Sequence, residues 1–101
     1  MARHGEYKAP GGKLVVADVG VEGDRIVSAE VSGDFFLEPE TALQALTGAL
    51  AGAPADASEA ELAARMDRSL PEGAQLIGFT TAAVATAVRR AIDDHTPRDR
   101  L

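Results

Sequence analysis

The spacing of apolar residues changes along the chain, from every second position ahead of Pro39 to every third and fourth position behind it. Residues 13–19 hold Leu14, Val15, Val16 and Val19, a β-branched run suited to a pleated surface. In residues 25–32 the alternation is cleaner. Val27, Ala29 and Val31 line one face, and Ser28 and Glu30 the other. Glu22-Gly23-Asp24 separates the runs, with a glycine free to take positive φ. The pattern predicts an antiparallel hairpin with one wet face. Residues 1–12 are polar, end in Pro10-Gly11-Gly12 and have Tyr7 as their one large apolar group; they read as a flexible or partner-ordered arm.

Beyond Gly33 the period lengthens. Pro39 suits a first helical turn, where its missing N–H is no loss, and Glu40 puts a negative charge at the positive end of the helix. Leu43, Leu46 and Leu50 form one stripe, stopped by Gly52 and Pro54. Ser58-Glu59-Ala60-Glu61 has the spacing of a capping box, and Leu62, Met66 and Leu70 follow as a second stripe until Pro71-Glu72-Gly73. Residues 75–78 form a short extended piece. Thr80 or Thr81 then caps a third helix with Val84, Val88, Ala91 and Ile92 facing inward. With a short third strand expected at 34–37, the order is strands and then helices. That order predicts an α+β fold: a small antiparallel sheet of two to three strands, followed by about three helices packed on one face. Residues 13–95 form a single domain in this reading, and 96–101 a tail.

The totals narrow the function. A chain of 101 residues is one domain of common size. Its net charge is −6 and its ten Lys and Arg are scattered, which argues against nucleic acid and anionic membrane as partners. There is no cysteine, so disulfides, thiolate metal sites and thiol chemistry are excluded. No apolar run approaches a membrane span, and the opening residues have no h-region; a cytoplasmic location is expected.

Catalytic groups are sparse. His4 and His95 fall in the two expected tails, where solvation is the ordinary state, and no metal-binding spacing is present. The acid pairs Asp93/Asp94 and Glu59/Glu61 sit at helix ends among charged neighbours and read as solvated. Asp93 and Asp94 lie at the unfavourable end of their helix, which points to fraying or a nearby cation. Gly11-Gly12-Lys13 has two readings, a flexible entry into the first strand or an anion-binding nest with a positive charge beside it. The full phosphate-loop pattern is missing. Asp34 fits a local bond to backbone amides better than a partner's arginine. Phe35 and Phe36 are two of the four aromatic residues, and adjacent side chains on an extended chain point to opposite faces. One of the pair therefore belongs to a second cluster or to a partner. For Phe36, core packing and a partner interface both stand.

These motifs, taken in order, carry a resemblance. Pro10-Gly11-Gly12-Lys13-Leu14-Val15, then a hairpin, then Ser32-Gly33-Asp34-Phe35-Phe36-Leu37-Glu38-Pro39-Glu40, then Leu46, Leu50 and Gly52, resembles the C-terminal accessory domain of lipoate–protein ligases. Gly78 ahead of the last helix fits as well, and the likeness runs over about residues 8–92. The resemblance implies a small sheet with helices on one side, related to iron–sulfur scaffold proteins, whose function cannot carry over to a chain without cysteine. It implies the separately encoded form of the unit, working as a hetero-oligomer with a large catalytic subunit. The assembled ligase uses ATP and Mg²⁺ to make lipoyl-AMP, then transfers the lipoyl group to a lysine of an acceptor domain. This chain alone is expected to bind no cofactor and to supply no catalytic residue. Gly11, Gly12 and Lys13 are expected near the substrate or its phosphate, and Asp34, Phe35 and Phe36 at the partner interface. The competing expectation is a non-enzymatic binding or scaffold module with no part in lipoate activation.

Overall fold

The expected hairpin is present, but it is only part of a larger sheet. The computed structural model describes residues 2–8, 13–33 and 36–93. In chain order the elements are β1 (Ala2–Lys8), β2 (Leu14–Glu22), β3 (Arg25–Gly33), β4 (Phe36–Glu38), α1 (Thr41–Leu50), α2 (Glu59–Ser69), β5 (Gln75–Ile77) and α3 (Thr81–Asp93). β1, β2 and β3 form one antiparallel sheet in that order, and β4 and β5 pair in a separate two-stranded ribbon. The fold class is α+β.

Two expectations about strands change. Residues 2–8 are not an arm but an edge strand, paired with β2 from Ala2↔Gly20 to Lys8↔Leu14. The main sheet's third strand is therefore β1. The short strand expected at 34–37 is β4, which pairs instead with the extended piece before α3. β1 is polar because backbone hydrogen bonding and the last helix hold it, not an apolar stripe of its own. Arg3 Nη1 donates to the Ile92 carbonyl at 2.8 Å, and Arg90 Nη1 donates to the Glu6 carbonyl at 3.1 Å. The Arg90 guanidinium also lies 5.1 Å from the centre of the Tyr7 ring, within cation–π range.

The face assignment of β3 changes as well. Gly20 pairs with Ser28 and Val21 with Ile26, so Val27 is an extra residue without a partner on β2. Such a bulge reverses which face the following side chains point to. Ile26 and Val31 are both buried, although five positions apart, and Val27 is exposed. Opposite the bulge, Gly20 leaves room for Ser28, whose Oγ would lie 2.5 Å from any β-carbon there.

The helices cover one face of the sheet. α3 lies across β1 and β2, α1 lies against β3, and α2 packs on both helices. Val15, Ala17, Val19, Ile26 and Val31 of the sheet meet Leu46, Leu50, Leu62, Met66, Val84 and Val88 in one core. The other sheet face is wet, with His4, Glu6, Ser28 and Glu30 exposed. Pro39 stands ahead of α1 rather than in its first turn; its carbonyl accepts from Ala42 N at 2.9 Å. The capping box of α2 is complete: Ser58 N donates to Glu61 Oε1 at 2.9 Å and Glu61 N donates to Ser58 Oγ at 3.1 Å. For α3, Thr80 Oγ1 accepts from Ala83 N at 3.0 Å. The inward set Val84, Val88, Ala91 and Ile92 is buried, together with Ala83, Ala85 and Ala87.

The loop between α1 and α2, which begins at the expected stop signals Gly52 and Pro54, is tied down. Gly52 N donates to the Ile26 carbonyl at 2.7 Å, Ile26 N to the Ala53 carbonyl at 2.9 Å, and Ala55 N to the Asp24 carbonyl at 2.7 Å. This loop therefore covers the open edge of β3 at its start, where exposed N–H and C=O groups would invite another strand. Arg89 donates to the Ala55 carbonyl and secures the loop from α3.

Candidate functional site

Sheet register brings two of the sequence motifs to one end of the molecule. Val15 pairs with Gly33. Lys13 enters that pairing from one side, and Phe36 follows it three residues later on the other. Gly33 turns the chain out of the sheet at φ 149°, a value that glycine adopts without strain. Gly11, Gly12, Asp34 and Phe35 lie outside the described residues; of the expected site residues, Lys13 and Phe36 are within them.

β4 and β5 make a ribbon with two unlike faces. Leu37 and Leu76 are directly paired and pack on the core. Phe36 and Ile77 are also paired and point the other way; Phe36 is 73% exposed and Ile77 47%. Core packing of Phe36 is thus ruled out within this chain. Glu38, on the same outward face as Phe36 by the period of two, and Glu40 are both exposed. With Pro39, these residues line a shallow hollow of about 390 Å³.

Beyond Ile77 the chain passes Gly78 and enters the wall of a second, larger groove of about 530 Å³. Its walls include Tyr7 of β1, Phe79, and Ala82, Ala83 and Thr86 of α3, and Lys13 stands at its side. The lining is mostly apolar, and Lys13 is the cation among its lining residues. The groove can hold an apolar group and place one positive charge beside it.

The other titratable groups are engaged in structure. His4 belongs to a strand, not a tail, and its ring lies between two carboxylates: Nε2 is 2.7 Å from Glu6 Oε2 and Nδ1 is 2.7 Å from Asp18 Oδ1. Those hydrogen bonds, to Glu6 first and then to Asp18, raise its pKa above the ordinary value of 6.5. Both ring nitrogens are taken up in this way. Among the described residues no group of three or more His, Asp and Glu is arranged to hold a metal. Glu61 is held below its ordinary pKa by the Ser58 backbone N–H and then by the Ser58 hydroxyl, and Glu59 accepts from Thr86 Oγ1 at 2.8 Å. Asp93 has its cation in Arg89, at 2.7 Å. No described helix is long and apolar enough to cross a membrane.

Sequence reasoning missed several members of this region, Ile77 and Tyr7 among them. Ile77 lay in a run recognised as extended, but nothing local named its strand partner. Tyr7 falls in a stretch that reads as an arm, and only β1 brings it to the groove.

No family model and no curated protein matches the sequence. The fold is similar to that of a chain from Thermoplasma acidophilum, in a structural analysis of an archaeal lipoylation system comprising a bi-partite lipoate protein ligase and its E2 lipoyl domain. The TM-score is 0.70 at 24% identity, over 88% of this chain and 96% of that one. At this identity the likeness is one of fold.

Proposed function

We propose that this chain is the accessory unit of a lipoate–protein ligase, supporting activation of lipoate to lipoyl-AMP by a separate catalytic subunit, for transfer to acceptor-domain lysines. The observation that carries the reading is the correspondence with a chain of a bipartite lipoylation system over nearly the full length of both. The ordered motifs from Pro10 to Gly52 support it independently of the fold. Lipoate, ATP and Mg²⁺ are handled by the assembled ligase in this reading, and the chemistry belongs to the partner. The segments 11–13 and 34–36 face the catalytic subunit, with Lys13 toward the adenylate or phosphate region.

The test mixes the chain with a catalytic lipoate-ligase subunit, lipoate, ATP and Mg²⁺ and follows pyrophosphate release with and without it. Stimulation is expected. Association without stimulation makes the chain a binding module with no part in activation, and turnover by the isolated chain refutes the accessory role. Lys13→Ala then resolves the groove: adenylation is expected to fall more than complex formation. Equal losses confine Lys13 to the interface, and no loss removes it from the site.

A further inference from the structure

We infer that the outward face of the β4–β5 ribbon is the central docking surface for the catalytic subunit, and that the subunit meets it with an apolar pocket bordered by Lys or Arg. The inference rests on the accessory-unit reading and specifies the partner's chemistry.

A solvated ribbon turns polar side chains outward. This ribbon instead turns out Phe36 and Ile77, side by side in register. They are two of the three exposed large apolar residues described; the third, Val27, stands near the start of β3, away from this end. Leu37 and Leu76 already anchor the ribbon to the core, so the outward pair is not needed to hold it in place. A large aromatic at the centre of a desolvated contact is the usual anchor of a protein interface.

The rim decides the occupant. Glu38 and Glu40 border the hollow beside Phe36, and no lysine or arginine is among its lining residues. Neither glutamate forms an ion pair among the described residues. A basic border on the partner neutralises them. A second copy of this chain does not: a two-fold contact through this face sets the carboxylates of one copy near those of the other. Lys13 lies outside this hollow, across Gly78, and is not part of the acidic rim.

The experiment measures binding of the full chain to a catalytic lipoate-ligase subunit by calorimetry. Circular dichroism melting confirms that each variant is folded. Phe36→Ala is expected to weaken binding about 30-fold or more while leaving the melting curve in place. The double variant Glu38→Lys, Glu40→Lys is expected to weaken binding and to lessen its dependence on salt, and unchanged binding overturns the basic border. Val27→Ala serves as the control and should bind like the wild type. Wild-type binding that survives Phe36→Ala overturns the docking surface and leaves the accessory role standing. A wild-type chain that neither binds nor stimulates the subunit overturns both. Self-association abolished by Phe36→Ala assigns the face to a second copy and overturns the inference.

Discussion

Replacing Gly5 with alanine puts a methyl group where α3 already lies. A β-carbon at this position would collide with Ala91 N and the Ala87 carbonyl oxygen, and would stand 2.8 Å from Ala91 Cα. All three are backbone atoms, so no side chain can rotate away. Ordinary contact needs about 3.5 Å or more between carbons, and the helix must lift from β1 to provide it. α3 brings Val84, Val88 and Ile92 into the core, so lifting it opens gaps along its whole inner face. Overpacking of this kind costs about 1–3 kcal/mol, and a collision with rigid backbone belongs at the upper end. Gly5 is not among the glycines with positive φ, so alanine also stiffens the unfolded chain and returns about 0.4–1 kcal/mol. The net loss is about 2 kcal/mol. In a chain of 101 residues that lowers Tm by about 10 °C. Gly48→Ala is the matched control: a β-carbon there meets nothing within 4 Å, and helix propensity predicts a gain of about 0.5–1 kcal/mol. Thermal and urea unfolding followed by circular dichroism measure both. A Gly5→Ala protein melting within about 2 °C of wild type refutes the close approach of β1 and α3.

Two further outcomes follow from local chemistry. Ser58→Ala removes the hydroxyl half of the α2 capping box and should cost about 1 kcal/mol in urea unfolding; a loss well below that means the first turn finds another acceptor. His4 holds its proton more tightly in the folded chain than in the unfolded one, so its carboxylate contacts stabilise fully below the unfolded value of about 6.5 and fade as the pH rises through the folded value. Unfolding midpoints of wild type and His4→Gln should therefore differ more at about pH 5.5 than at about pH 9. The difference is small because the group is half exposed, and an equal gap at both pH values removes the ion pairs.

Legibility followed the range of each signal. The capping box of α2, the hairpin turn at Gly23 and the inward set of α3 rest on residues within one or two turns of each other, and each is found where expected. The candidate site was half legible. The motifs around Lys13 and Phe36 stand out as residue patterns, but their common end of the sheet follows from the pairing of Val15 with Gly33. Strict alternation places Val27 on the same face as Ala29 and Val31; a bulge carries no composition that distinguishes it from a regular strand.

The sequence alone determined the class of this protein: apolar periods of two and then of three and four, cap chemistry, no cysteine and an acidic surface leave an α+β domain without an evident catalytic set. Tertiary structure alone decided that a polar N-terminal stretch is a strand, that Phe36 faces solvent opposite Ile77, and that Tyr7 and Lys13 share a groove. The reason is physical. Every residue but proline carries the same backbone donor and acceptor, so an edge strand needs no side-chain pattern of its own. The partner of β4 lies across two helices in the chain, beyond the reach of any local period.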